Sequence, residues 1–130
     1  MPEPVFEPRG ELSIRTLAMP ADTNPSGDIF GGWLLSQMDI AGAISAQWRA
    51  KGRVATIAIE AMEFHRPVWV GDVLCCYSEI IKVGSSSITV RVEAWVRRSR
   101  HAEERIKVTE GTFTYVALDE AGNKHPVSRE

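Results

Sequence analysis

The segment from residue 30 to residue 48 limits the folds open to this chain more than any other. Its apolar side chains occupy nearly every direction around a helical wheel instead of one stripe, which is typical of a helix covered on all sides. Lys51 and Gly52 follow the segment, and basic and glycine residues favour helix C-termini. The pattern predicts one long buried helix from about residue 32 to about residue 50.

After the helix the apolar pattern changes to a period of two, which is typical of β-strands. Strands are expected near residues 12–17, 54–64, 73–83, 88–96 and 106–118, separated by turn-forming residues. Residues 54–64 have no consistently polar side, so both faces of that strand are predicted to be covered. Because short connections suit antiparallel neighbours, the prediction is an α+β domain in which a curved antiparallel sheet of about five strands packs on the helix.

The strand at residues 88–96 has the clearest alternation in the chain. Ile88 and Val90 fall on the core side, whereas Arg91, Glu93 and Trp95 fall on the other side. Trp95 is therefore predicted to point away from the core and to mark a further contact surface.

A length of 130 residues suits one domain with a real core. We expect a loose, flexible N-terminal arm at residues 1–10, a single domain at residues 11–120 and a C-terminal tail at residues 121–130. One sheet can cover only one side of a helix, so the opposite side needs another cover. A second copy of the chain is the simplest cover, and the sequence thus predicts an obligate homodimer.

Charge, hydropathy and cysteine placement exclude several classes of protein. The formal net charge is −2, which argues against a chain-wide nucleic-acid-binding surface. No apolar run is long enough to span a membrane and the first residues lack the layout of a signal peptide, so we expect a cytoplasmic protein with no membrane partner. Cys75 and Cys76 are adjacent in a predicted strand, should point to opposite faces, and have no metal-site spacing.

Asp39 is the main candidate for chemistry because it lies in the middle of the apolar helix. A carboxylate beside Leu35, Met38 and Ala43 loses hydration, and such a charge is costly unless it finds a partner. A purely structural hydrogen bond is the alternative interpretation.

The loop before the helix favours a ligand at the helix start. Asn24, Ser26 and Asp28 cluster in it, and free backbone N–H groups at a helix start attract an anion or a polarised carbonyl oxygen. Gly31 and Gly32 would let that backbone approach a ligand closely.

Several stretches together resemble one known family. They are AMPADTN at residues 18–24, GDIFGGW at 27–33, SQMD at 36–39, RP at 66–67, VGDV at 70–73, CCY at 75–77, EAWV at 93–96 and FTYVA at 113–117. With them the chain resembles the hotdog-fold acyl-CoA thioesterases, most closely the bacterial YciA-like group. The sequence departs from the family at His65, where an apolar residue often stands, and in the charged loop at residues 97–104.

The resemblance implies a hotdog fold, in which the sheet wraps the long helix, and dimers that share a continuous sheet and an active site, commonly as a trimer of dimers. It also implies hydrolysis of acyl-CoA thioesters, with no metal or separate cofactor because coenzyme A is part of the substrate. The family's catalytic carboxylate falls on Asp39. The catalytic loop residue of related members falls on Asp28, with Asn24 as a further candidate.

Thioester hydrolysis needs an activated water, donors for the developing oxyanion and space for a long ligand. Because the leaving thiol has a pKa of roughly 8.5, no strong acid is required. Asp39 is expected to act as general base or as nucleophile. The predicted oxyanion donors are the backbone N–H groups of Gly31, Gly32 and Trp33. The side chains expected to position substrate or water are those of Asn24, Asp28 and Thr56.

Coenzyme A carries several phosphate charges, which basic residues at strand ends should meet. The candidates are Arg66, Lys82, the Gly84-Ser85-Ser86 turn, Arg97 and Arg98. An ordinary solvated surface charge is the alternative for each of them.

Three other functions stay open on the sequence alone. A hotdog hydratase or dehydratase would need a histidine as base, whereas this region has Asp39. A non-catalytic acyl-CoA sensor would bind without turnover and usually carries an effector domain. An aspartate-base isomerase would hold Asp39 against an enolisable carbonyl.

Overall fold

The computed structural model describes residues 7–98 and 105–129. These residues form one long helix and five strands, namely α1 (Gly31–Ala50), β1 (Glu11–Leu17), β2 (Val54–Phe64), β3 (Val73–Val83), β4 (Ser87–Arg97) and β5 (Arg105–Ala117). Each element lies within one residue of its predicted position. The prediction of an α+β domain built from one helix and a curved antiparallel sheet is confirmed. Residues 1–6 of the predicted N-terminal arm lie outside the described residues.

All neighbouring strands of the sheet are antiparallel, in the order β1-β3-β4-β5-β2. The chain therefore places its second strand next to its last one, and β1 and β2 form the two edges. Within the described residues, β2 pairs with β5 alone. Its opposite edge is free.

Helix α1 packs one side on the sheet. The buried residues of that side are Leu34, Met38, Ala41, Gly42 and Ala46. They join a core with the inward-facing residues of β4 and with Phe113 and Tyr115 of β5, which are both fully buried. The opposite side is open, since Ile40 is 49% exposed and Trp48 is 81% exposed. A single chain thus covers only one side of the apolar helix.

β2 differs from the prediction that both its faces are covered. Ile57, Ile59 and Phe64 are 58%, 39% and 54% exposed in the single chain. The strand is an edge strand with two irregularities in its register, and Ala61 adopts a left-handed backbone with φ 56°. The apolar pattern of β2 shows which of its side chains are suited to burial. In the single chain, no other described element covers Ile57, Ile59 and Phe64.

Trp95 lies on the sheet face away from α1, as predicted, but it is buried and does not form an exposed contact surface among the described residues. Trp95 is 3% exposed and Glu93 is 1% exposed, although both lie on the sheet face away from α1. The Trp95 indole N–H donates to Glu93 Oε1 at 3.0 Å, and Arg91 pairs with Glu93 Oε2 at 3.1 Å. A register shift against β5 falls between Ala94 and Trp95. The indole is therefore held in a polar network on the outer face of the sheet.

The two cysteines are unbonded and buried, as their adjacent positions predict. Cys76 belongs to the core cluster around α1. Burial raises the pKa of the Cys76 thiol to about 12, with the neighbouring Cys75 as a second cause. The thiol of Cys76 is therefore inert near neutral pH.

The end of the chain folds back on the β3–β4 turn. Val127 is 5% exposed and its N–H donates to Ser85 O at 2.8 Å. Ala117 N–H donates to Ser86 O at 2.8 Å, and Arg129 Nη2 donates to Gly84 O at 2.5 Å. The described part of the tail is thus held by the turn. No helix in residues 7–98 or 105–129 has the length and apolar character needed to cross a membrane.

Candidate active site

Asp39 meets two hydroxyl donors at the boundary of α1, β2 and β5. Thr56 Oγ1 donates to Asp39 Oδ1 at 2.8 Å. The Tyr115 hydroxyl lies 3.0 Å from the same Oδ1 and 2.8 Å from the Asp39 backbone oxygen. Thr56 and Tyr115 are register partners on β2 and β5, so the sheet sets both donors side by side under the helix.

Both donors act on one oxygen of the carboxylate. Within the described residues, no hydrogen bond reaches Asp39 Oδ2. Asp39 is also half-buried and not enclosed, so this second oxygen can meet a ligand. The arrangement fixes the carboxylate in one orientation and leaves Oδ2 free for a water or a carbonyl carbon.

Tyr115 is suited to act as a permanent donor. Burial raises the pKa of its phenol well above its usual range, and the Asp39 carboxylate raises it further. Gly42, one turn after Asp39, makes room for the phenol, because a Cβ at residue 42 would overlap the Tyr115 hydroxyl. The glycine therefore determines how closely helix and tyrosine approach.

The start of α1 offers a second group of donors. Phe30 precedes the helix and no side chain caps it. The first helical bond runs from Leu34 N–H to Phe30 O at 3.2 Å, so the N–H groups of Gly31, Gly32 and Trp33 come before the helical ladder. Uncapped amides at the positive end of a helix attract a negative oxygen.

Asn24 has a structural role in the loop before α1. Asn24 Oδ1 accepts the N–H groups of Ser26 at 2.9 Å and of Asp28 at 3.1 Å. This amide side chain therefore holds the loop. The Asp28 side chain is exposed and makes no hydrogen bond within the described residues.

A cavity of about 210 Å³ opens beside the helix start. It is lined by two segments, residues 29–31 with Leu34 and residues 64–68. Arg66 lies in the second segment and is exposed. The cavity thus combines the uncapped amides, apolar walls and one cation.

The structure brings Thr56 to Asp39 but keeps the helix start apart from it. Gly31 and Asp39 are eight residues apart, which is roughly 12 Å along a helix axis. One carbonyl group cannot contact both places at once. A single chain therefore contains two partial sites, the Asp39–Thr56–Tyr115 cluster and the cavity at the helix start.

Comparison with known proteins identifies the family. The sequence model of the thioesterase superfamily matches residues 26–102, which is more than half of the chain. This chain belongs to the thioesterase superfamily. The acyl-CoA thioester hydrolase YciA of Salmonella typhimurium is 56% identical over 122 residues, covering 92% of each chain.

Solved structures agree with this assignment. A hexameric thioesterase from Yersinia pestis is 56% identical, with a TM-score of 0.90 over 94% of this chain and 99% of that chain. A hexameric hotdog fold thioesterase from Campylobacter jejuni is 45% identical, with a TM-score of 0.87 over 92% of this chain and 91% of that chain. The predicted hotdog fold and the predicted resemblance to YciA-like thioesterases are confirmed.

In this thioesterase the residues predicted to bind coenzyme A form two groups at opposite ends of the sheet. Lys82 and the turn at residues 84–86 lie at one end of β4, and Arg97, Arg98 and Arg66 lie at the other. The two ends are roughly 33 Å apart for an eleven-residue strand. One chain does not bring these residues together.

Arg98 is engaged within the thioesterase itself. Its Nε lies 3.2 Å from Asp72 Oδ1 and its Nη2 3.1 Å from Asp72 Oδ2. The guanidinium carbon stands 3.7 Å from the centre of the Trp69 ring. Since Asp72 is 1% exposed, this pair holds the loop before β3 and leaves less of Arg98 for a phosphate.

Sequence reasoning missed Tyr115 and Gly42 of the thioesterase site. Nothing near Tyr115 in the chain marks it, because its partner Asp39 is 76 residues away. Gly42 did carry a signal, since glycine inside a helix costs about 1 kcal/mol relative to alanine and indicates a close approach.

We expect Tyr115→Phe to lower kcat about tenfold while the protein stays folded, because one of the two donors that orient the Asp39 carboxylate is lost. Gly42→Ala should have a similar effect because its Cβ displaces the phenol. The control is Tyr77→Phe on β3, which should leave kcat unchanged. Equal kcat for Tyr115→Phe and the parent protein would show that the Tyr115 hydroxyl does not contribute to the reaction.

Proposed function

We propose that this thioesterase hydrolyses acyl-CoA thioesters to a free acid and coenzyme A, with Asp39 as the reacting carboxylate. The observation that carries the proposal is the fixed carboxylate with Oδ2 free, in a chain 56% identical to an acyl-CoA thioester hydrolase. Asp39 Oδ2 takes the proton of a water that attacks the thioester carbon, or attacks that carbon itself to give a mixed anhydride, which a water then hydrolyses to the free acid and the Asp39 carboxylate. Both routes start from the same atom.

The developing oxyanion is stabilised by the backbone N–H groups at the start of α1. These amides are fixed by the helix and need no reorganisation during the reaction. When the tetrahedral intermediate collapses, the C–S bond breaks and coenzyme A leaves as a thiolate. A leaving thiol with a pKa of roughly 8.5 needs no strong acid, so the shortage of acids around Asp39 is no obstacle.

The active site is completed by a second copy of the chain. The free edge of β2 and its exposed side chains Ile57, Ile59 and Phe64 support pairing of two β2 strands. In an antiparallel twofold pair, the Thr56 end of one strand lies beside the Phe64 end of the other. The Asp39 cluster of one chain then faces the helix start and cavity of its partner, which removes the 12 Å separation.

The same pairing also brings together the two groups of residues predicted to bind coenzyme A, one group from each chain. It brings Arg66 and Arg97 of one chain to the end of the sheet that carries Lys82 and the turn at residues 84–86 of the other. A ligand with several phosphates then meets positive charge from both chains. The hexameric relatives support three such dimers as the full assembly.

Mixing two inactive variants tests the shared site. Asp39→Asn removes the base, and Gly31→Pro removes one amide at a helix position that tolerates proline. Phe30 is already extended, with φ −59° and ψ 131°, as a residue before proline should be. Each variant alone should lose at least about 100-fold in kcat.

Unfolding and refolding the two variants together should restore about a quarter of the parent activity, because half of randomly formed dimers are mixed and each has one intact site. Thiol release from a short and a long acyl-CoA is the measurement. No recovery in verified mixed dimers would locate both groups in one chain. Binding of acyl-CoA without turnover by the parent protein would instead indicate a sensor.

A further inference from the structure

A groove of about 670 Å³ lies between β1, β3 and the C-terminal half of α1. Its lining includes Leu12, Ile44, Trp48, Arg49 and Ile80. Trp48 follows Asp39 by nine residues, which places it on the opposite side of the helix at about 100° per residue. The groove is therefore separate from the Asp39 cluster and from the cavity at the helix start.

The groove contains a cation with an unsatisfied donor. Among the described residues, Arg49 Nη1 is the buried side-chain nitrogen or oxygen that has no hydrogen-bond partner. Buried guanidinium N–H groups normally donate to an acceptor, because a buried N–H group without a hydrogen bond is costly. An acceptor from outside the chain would satisfy Arg49.

The walls determine what kind of acceptor fits. Trp48 is 81% exposed and Leu12 is 43% exposed, so the groove offers a large apolar surface. The Ser78 hydroxyl is hydrogen-bonded to the hydroxyl of Ser13, at 2.5 Å, and to that of Ser45. Apolar walls with one unsatisfied charged donor are typical of a site for an amphiphilic small molecule.

Two carboxylates in the same groove limit the charge of that molecule. Glu11 and Glu79 line it, and neither forms an ion pair with Arg49 within the described residues. One guanidinium and two carboxylates give the lining a net charge of −1, which disfavours anions and disfavours a multiply charged phosphate most. Arg49 is the one cation among the lining residues, so a negative group is favoured only against its guanidinium. A single carboxylate placed on Arg49 adds the least repulsion from Glu11 and Glu79.

We propose that this groove is a second ligand site, which binds an alkyl carboxylate with its headgroup on Arg49 and its chain along Trp48 and Leu12. The acid released by the thioesterase is one ligand of this class. That last identification rests on the proposed hydrolysis, whereas the binding itself does not.

Calorimetric titration of sodium octanoate, decanoate and dodecanoate into the intact oligomer tests the proposal. We expect one carboxylate per chain and a dissociation constant that falls about fourfold for each added CH₂ group buried in the groove. Binding should change the intrinsic fluorescence, and Trp48→Phe should abolish that change. Saturating coenzyme A should leave the affinity unaltered, because the groove lies outside the proposed active site.

Arg49→Met is the decisive variant, since it keeps an unbranched apolar stem and removes the guanidinium charge. It should weaken dodecanoate binding at least about tenfold. Lys51→Met, a neighbouring cation outside the groove, is the matched control and should bind dodecanoate as the parent protein does.

Four outcomes would overturn the proposal. The first is no heat and no fluorescence change with any of the three carboxylates. The second is equal affinity in Arg49→Met and the parent protein. The third is competition with coenzyme A, which would locate the carboxylate in the active site. The fourth is a smaller oligomer for Arg49→Met without carboxylate binding by the parent protein, which would make the groove a contact between subunits. Because these readouts are binding or assembly, they are independent of whether the protein hydrolyses acyl-CoA.

Discussion

Asp39→Asn is expected to lower kcat/KM for acyl-CoA hydrolysis by about 10³-fold without changing the fold or the assembly. The amide oxygen of asparagine can still accept from Thr56 and Tyr115, which both donate to Oδ1. The change therefore falls on the other oxygen, which becomes an NH₂ group that can neither accept a proton nor attack a carbonyl. Thiol release from the purified variant measures the loss, and light scattering checks the assembly.

Asp28→Asn is the matched control for this substitution. Asp28 is the other carboxylate that the sequence offers as catalytic, and its side chain is exposed in the loop before α1. We expect it to lose much less activity than Asp39→Asn. A larger loss of activity for Asp28→Asn than for Asp39→Asn would identify Asp28 in the loop as the base. Equal losses of activity would indicate that both carboxylates act in the same step.

Ile59→Asp is expected to break the assembly and abolish turnover together. Ile59 pairs with Phe113 across β5, so it lies on the same sheet face as α1, yet 39% of it is exposed at the free edge. A second β2 strand would bury an unpaired carboxylate at this position in each chain. Since such burial costs several kcal/mol, the dimer dissociation constant should rise by at least about 10³-fold.

The neighbouring substitution Glu60→Lys is the control for charge alone. Glu60 pairs with Thr112 and therefore points to the other face of the same strand. It should leave the dimer assembled. Sedimentation velocity over a range of concentrations gives the assembly state, and thiol release gives the activity. A monomeric Ile59→Asp that keeps full turnover would mean that one chain holds the complete site.

The helix and strands could be predicted because their signal is local. The apolar pattern of α1 and the period of two in β3, β4 and β5 depend on neighbours a few residues away. The same locality explains why the burial of Trp95 could not be predicted. Alternation correctly assigned Trp95 to the face away from the helix, but the acceptor that holds it there, Glu93, and the cations around Glu93 are brought in by strand pairing.

The candidate site divides in the same way. Asp39 could be singled out because a carboxylate in an apolar helix is anomalous within its own segment. Tyr115 could not, since only the pairing of β2 with β5 places it under the helix. Each residue predicted to bind coenzyme A is marked by its own charge or turn, whereas the division of these residues between two ends of the sheet depends on strand pairing.

The position of β2 next to the last strand also affects how this protein is made. β2 is synthesised by residue 64, but its one neighbour among the described strands, β5, begins at residue 105. During translation, β2 therefore has no partner strand while β3 and β4 are synthesised. Because β5 joins β2 to the rest of the sheet, the native sheet closes only when nearly the whole chain has left the ribosome. Until then the apolar edge of β2 is open to wrong partners, which favours slow growth or chaperone help for high yields of this protein.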